Sequence, residues 1–235
     1  MKLLVLAGGF GTRLQPVVSQ LPKALAPIGD TPFLYFQMEN WIRQGVTSFV
    51  FLLHHQSAPI IEFLQQGLRK QWSGLEIQWV VETVPMGTGG AIANAVAELR
   101  VVGDFLVTNA DTWLGSGLAQ VMATGVPAIG VTHVQDAGRY GSVALDAQNH
   151  VSRFLEKSNQ AGSGWINAGI ARLEASLFPD GNVHPASLEN KYFPEWVRLG
   201  VLKAAPLNCE FIDIGIPEDY YRFCRWIASG KLEAL

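Results

Sequence analysis

The chain has 235 residues, a net charge of −3 and 16% charged residues, enough to bury a sizeable core within one α/β domain. That balance, without any Lys/Arg block, argues against a nucleic-acid partner. No apolar run approaches membrane-spanning length, and Lys2 leads straight into an apolar run instead of a leader with a cleavage site, so neither a membrane anchor nor a secretory signal is expected.

Residues 2–6 read as a buried strand, too short for a helix. The run stops in Gly8-Gly9-Phe10-Gly11-Thr12-Arg13. Glycines past a strand let the backbone approach a ligand, because no Cβ intervenes. The N–H groups of such a turn can cradle an anion. Arg13 adds a planar fork for phosphate oxygens, and Lys23, after Pro22, adds a point charge. The sum is a polyphosphate site. A dinucleotide fingerprint is excluded, because Leu14 stands where its third glycine belongs, and no Gly-Lys-Ser/Thr of a Walker loop is present.

Next, Thr31 reads as an N-cap and Pro32 as the start of a helix over 33–44, with Gly45 beyond it. Residues 47–53 read as a strand, 57–66 as a helix ended by Gly67, and 75–81 as a strand. A loop, Met86-Gly87-Thr88-Gly89-Gly90, leads into a helix over 91–99. A strand over 105–108 ends at Asn109-Ala110-Asp111. The alternation implies an α/β fold, a doubly wound, mostly parallel, Rossmann-like sheet with helices on both faces. Ligands in such sheets gather beyond the carboxyl ends of the strands. The Gly8 loop, the Gly87 loop and Asp111 all fall there.

After about residue 127 the runs 127–134, 141–145, 151–155 and 166–172 suggest a smaller, partly antiparallel portion. Residues 217–229 read as a closing helix, with Pro217 at its start, Glu218 and Asp219 at its positive end and Gly230 after it. Neither linker nor repeat interrupts 1–235, which reads as a single domain. Cys209 and Cys224 have no metal or redox spacing and read as buried thiols of a reducing cytoplasm. The histidines form no zinc pattern, and His54-His55 reads as a strand end.

Asp111 and Asp213 each end an apolar run, and two such carboxylates can converge on one Mg²⁺, with phosphates and waters completing its shell. Taken singly, each aspartate equally suits a cap or a turn. Glu156-Lys157 can meet a sugar hydroxyl and a phosphate, or be a surface ion pair. Asn167 is either a satisfied core amide or a ligand contact, and Tyr140-Gly141 either a close approach or a strand start.

The ordered set Gly-Gly-x-Gly-Thr-Arg-Leu, Pro22-Lys23, Gly-Thr-Gly-Gly-Ala-Ile, Asp111, Glu156-Lys157, Asn-Ala-Gly and Asp213-Ile-Gly resembles the sugar-phosphate nucleotidylyltransferases over nearly the whole chain. The stretches 15–19, 85–92, 139–141 and 187–189 are most similar to the D-glycero-D-manno-heptose 1-phosphate guanylyltransferases. The resemblance implies a cytoplasmic enzyme that joins a nucleoside triphosphate, GTP in that subfamily, to a sugar 1-phosphate with Mg²⁺. It divides the domain into a nucleotide-binding half (1–126) and a sugar-phosphate-binding half (127–235). It assigns Ala7, Gly8, Gly9, Gly11, Thr12, Arg13, Lys23, Glu82, Gly87, Thr88 and Asn109 to the nucleotide, with Arg13 and Lys23 catalytic. Gly141, Glu156, Lys157 and Asn167 fall to the sugar phosphate, and Asp111 and Asp213 to the metal. Ala24, Ala110 and Ser158 depart from the family's pattern, and Ala110 adds a methyl beside the metal site. Uridylyl or thymidylyl transfer to another sugar phosphate, a non-catalytic nucleotide-sugar-binding regulator, and a homo-oligomer stay open.

Overall fold

The computed structural model describes residues 1–155, 162–178 and 183–231. In chain order its elements are β1 (Lys2–Leu6), β2 (Pro27–Ile28), β3 (Thr31–Pro32), α1 (Phe33–Arg43), β4 (Ser48–Leu53), α2 (Ser57–Leu68) and β5 (Glu76–Val81). Then come α3 (Gly87–Leu99), β6 (Asp104–Asn109), β7 (Thr112–Leu114), α4 (Leu118–Ala123), β8 (Ala128–Val134), β9 (Ser142–Leu145), β10 (Val151–Leu155) and β11 (Gly164–Glu174). Last are α5 (Phe193–Arg198), β12 (Lys203–Pro206), β13 (Phe211–Asp213) and α6 (Pro217–Ala228). None of the described helices is long and apolar enough to cross a membrane.

By internal contacts the chain forms two units, each discontinuous in sequence. The first takes Met1–Thr83, Asn109–Gly115 and the chain from Glu210 on. Its strands β1, β4 and β5 form a parallel ladder, with Lys2 opposite Ser48 and Ser48 opposite Glu76. Parallel strands covered on both faces read as unbroken apolar runs, and Leu3, Leu4, Val5 and Phe49 through Leu53 are buried. A second core gathers Leu14, Val18, Ile28, Phe33, Trp113, Ile212, Ile214 and Phe223. Phe223 meets Phe33 edge-on at 4.8 Å between centroids, a favourable geometry for aromatic pairs.

The second unit takes Val84–Thr108 and Ser116–Cys209. Strand β11 is its spine, pairing antiparallel with β6, β8 and β9, while β10 pairs with β9 and β12 runs parallel to β8. The register of β11 against β8 shifts between Asn167 and Ala171. The fold class is the one expected, α/β with parallel strands and helices plus a largely antiparallel portion.

Four local expectations are corrected. Thr31 does not cap α1: it pairs with Ile28, and Pro32 is the N-cap, without a side-chain hydrogen bond. Gly67 does not end α2 but lies inside it, and a Cβ there would sit 2.0 Å from the Trp72 ring, which accounts for the glycine. Residues 87–90 are not a loop before a helix but the first turn of α3. Cys209 and Cys224 are half-buried and outside any disulfide, not the fully buried thiols expected.

Candidate active site

The predicted phosphate turn follows β1 in the first unit. Ala7 continues the ladder, its N–H donating to Leu52 O at 2.9 Å. A Cβ on Gly8 would sit 3.1 Å from His54 Cβ, so the glycine permits the strand ends to touch. Gly11 has φ +63°, the left-handed region that favours glycine. Leu14 N–H then donates to Gly11 O at 3.0 Å, and buried Leu14 plugs into the second core. Thr12 and Arg13 stay exposed as a result. Lys23 opens a 3₁₀ turn whose next residues, Ala24 and Leu25, are buried; its own stem lies against Gly11, 3.5 Å from a Cβ placed there.

Asp111 and Asp213 come together through backbone pairing. Strand β13 runs antiparallel to β7 with Asp213 opposite Thr112, and Ile214 N–H donates to Asp111 O at 2.9 Å. Alternation along β13 and into the next residue sends Ile212 and Ile214 into the core and leaves Asp213 on the other side. Lys23 Nζ lies 2.7 Å from Asp111 Oδ2. Gly215 N–H donates to Asp213 Oδ1 at 2.7 Å. A Cβ on Gly215 would lie 2.6 Å from that oxygen and 3.2 Å from Arg13 Nη2, so the guanidinium stands beside the carboxylate. Two cations and two carboxylates, from three distant stretches of the chain, thus form one cluster.

Burial pushes the Asp213 carboxyl above its ordinary value, and the Asp111 charge adds to the rise. The Gly215 N–H, Lys23 and Arg13 pull the other way without cancelling it. Two acidic groups held this close favour a bound cation. The donor set is all oxygen, which suits Mg²⁺. Among the described residues no cluster of three or more His, Cys, Asp or Glu completes a metal site, so phosphate and water oxygens would supply the rest. Ala110 is buried, its N–H on Leu6 O at 3.0 Å. Asn109 ends β6 half-buried, and Glu82 is held by its N–H on Leu53 O at 2.8 Å.

In the second unit, Gly141 O accepts from Asn167 N at 3.0 Å, so these two expected sugar-phosphate residues meet. Asn167 Oδ1 accepts from Gly169 N at 3.1 Å, where β11 shifts register, a device that re-aims side chains. The Thr88 hydroxyl donates to Glu189 Oε2 at 3.0 Å and accepts from Leu188 N at 2.8 Å. Glu156 and Lys157, like Ser158, lie outside the described residues.

Several supporting residues escaped the sequence reading. Gln37 and Asn40, buried on α1, donate to Thr112 O and Leu114 O, each at 2.7 Å, and so hold β7 just after Asp111. Their signal was helical spacing with the apolar residues Leu34, Met38 and Trp41 on the same helix. His54 Nδ1 lies 3.0 Å from Glu82 O. A carbonyl can only accept, so Nδ1 carries the proton, and the ring sits fixed beside Gly8.

Comparison with known proteins places the chain in a family. The nucleotidyl transferase family matches residues 2–224. A D-glycero-alpha-D-manno-heptose 1-phosphate guanylyltransferase of Campylobacter jejuni is 32% identical over 95% of this chain and 98% of its own. A probable mannose-1-phosphate guanylyltransferase of rice is 35% identical, over 94% of this chain but 63% of its own. The crystal structure of HddC from Yersinia pseudotuberculosis superposes with a TM-score of 0.84 at 34% identity, over 96% of this chain and 99% of HddC, and HddC is also known complexed with GMP-PN. The chain belongs to the nucleotidyl transferase family.

Proposed function

We propose that the protein transfers a guanylyl group from GTP to a heptose 1-phosphate of manno configuration, in a Mg²⁺-dependent cytoplasmic reaction yielding GDP-heptose and pyrophosphate. The observation that carries the chemistry is the convergence of Arg13, Lys23, Asp111 and Asp213 beside the glycine turn. A phosphate oxygen of the sugar 1-phosphate attacks the α-phosphorus. The new P–O bond forms as the bond to the β-phosphate oxygen breaks, and its electrons leave on pyrophosphate. The attacking phosphate is already anionic, so no protein nucleophile is required.

The protein's task is to hold two anions that repel each other and to stabilise spreading charge. Arg13 offers a fork to the transferring phosphoryl oxygens, and Lys23, held by Asp111, offers a fixed point charge. Asp111 and Asp213 would hold Mg²⁺, which supplies further charge stabilisation when bound. Gly87 and Thr88 would serve the base, and Gly141, Asn167, Glu156 and Lys157 the sugar phosphate. A pure sensor has no use for the paired carboxylates. The heptose reading is supported by the Campylobacter enzyme, which matches end to end, where the rice mannose enzyme extends well beyond the match.

Pyrophosphate release, measured with each triphosphate against a panel of sugar 1-phosphates, tests this. GTP with the manno-heptose 1-phosphate is expected to turn over fastest, and chelator to abolish turnover. A preference for UTP or dTTP overturns the guanylyl assignment, and a preference for mannose 1-phosphate overturns the heptose.

A further inference from the structure

The segment from His184 to Tyr192 lies directly on the first turn of α3. Gly89 and Gly90 donate their N–H groups to Ala186 O at 2.9 and 3.0 Å, and Ala186 N–H donates to Met86 O at 2.8 Å. A Cβ on Gly87 would come within 2.7 Å of Ala186 O, on Gly89 within 2.5 Å of the Tyr192 ring, and on Gly90 within 2.6 Å of His184 O. These glycines therefore admit the chain's own backbone. At the centre of the contact stands the half-buried Glu189. Its Oε2 accepts from the hydroxyls of both Thr88 and Ser187 at 3.0 Å. Thr88 Oγ1 in turn accepts from Leu188 N at 2.8 Å, and Ser187 Oγ from Asn190 N at 3.1 Å.

The Thr88 hydroxyl thus spends its one proton on Glu189. A side chain so committed braces the backbone and leaves recognition to the peptide groups around it. We infer that Glu189 is a positioning residue for nucleotide discrimination: by fixing Thr88 it holds the backbone of residues 85–88 in the geometry that selects one base. The inference rests on the reading that Gly87 and Thr88 serve the base. Hydrogen bonds to an ionised acceptor are about twice as strong as neutral ones, so a carboxylate suits this brace. Discrimination by peptide groups depends on their staying matched to one base and unmatched to others, and slack of about 1 Å can cost a hundredfold.

The test compares kcat/KM for the preferred triphosphate with that for the next best, in the wild type, Glu189→Ala, Thr88→Val and Glu189→Gln, each checked for folding by thermal melt. Glu189→Ala is expected to lower that ratio about tenfold, with the KM for the sugar 1-phosphate unmoved. Thr88→Val lowers it similarly, and the double variant no further, because both break one brace. Glu189→Gln, whose side-chain carbonyl accepts both hydroxyls, keeps the ratio within about threefold. A uniform fall in kcat for every triphosphate with the ratio intact, in Glu189→Ala or in Thr88→Val should the first not fold, reduces Glu189 to scaffold and overturns the inference. A wild type that prefers UTP overturns the guanylyl reading and leaves the Glu189 comparison readable on the UTP ratio. A wild type with no preference removes the base-reading role itself, and this inference with it.

Discussion

The two glycine clusters look alike in sequence and differ in what surrounds them. In the first unit a Cβ on Gly9 would meet no atom within 4 Å, and Gly11 is needed for its φ of +63°. In the second unit Gly87, Gly89 and Gly90 would each drive a Cβ to within 2.7 Å of the 184–192 segment. The first cluster is open at Gly9 and abuts His54 only at Gly8, and the second is filled by the chain itself at all three glycines. A glycine run after a strand therefore signals close approach, and the sequence does not say whether a ligand or the protein's own backbone approaches.

The largest expected effect lies at the open cluster. Arg13→Ala removes the fork beside Asp213 and should lower turnover a hundredfold or more, about 3 kcal/mol of barrier, with the fold intact. Steady-state pyrophosphate release checks this. A folded variant with near-normal turnover would move the phosphate site away from the first cluster and erase the contrast. Asp111→Asn is expected to act next most strongly. It keeps the shape, removes charge and frees Lys23, so the Mg²⁺ concentration giving half-maximal rate should rise about tenfold or more. A metal titration that superposes on the wild type would take Asp111 out of the metal site.

The contrast between the clusters sharpens with alanine at equivalent places. Gly90→Ala should destabilise by about 1–3 kcal/mol, because its Cβ would meet backbone at His184 O, 2.6 Å away, which cannot swing aside. Gly9→Ala has open space and should melt within about 2 °C of the wild type, while raising the KM for the triphosphate. Melting curves and KM values for both proteins decide it. If Gly9→Ala melts low and Gly90→Ala does not, the assignment of open and filled clusters is reversed.

Much of this was legible in the chain. Apolar runs too short for helices marked β1, β4, β5 and β6, and Pro217 with its acidic neighbours marked α6. Asp111 and Asp213 stood out as polar ends of apolar runs, and the structure joins them through β7 and β13. What stayed hidden depends on partners far along the chain. Gly67 reads as a helix end because nothing local in the sequence shows that Trp72 packs against it. The 187–198 stretch folds as a turn of π-helix running into α5, with Pro194 just inside, which breaks the period-3.6 pattern. Glu189 matters through Thr88, 101 residues away.

The smallest effects set one carboxylate of each unit against the other. Burial and Asp111 raise the Asp213 carboxyl, so Asp213 favours the fold below its unfolded value, and that contribution is lost as pH rises through the folded value. Asp213→Asn removes the buried charge and should melt above the wild type at pH 7 in chelator, although it is less active. Asp104 is the reverse. Arg172 Nε donates to it at 2.8 Å, and that hydrogen bond lowers its carboxyl. Its stabilisation is present above the unfolded value and lost as pH falls through the folded one. The side chain is 38% exposed, so solvent screens the pair and Asp104→Asn should cost about 1 kcal/mol or less at pH 7. Melting from pH 7 down to about 3 separates charge from packing. The Asp104→Asn and wild-type curves should converge as Asp104 protonates, whereas a gap that stays constant across the range would show that Asp104 acts through packing.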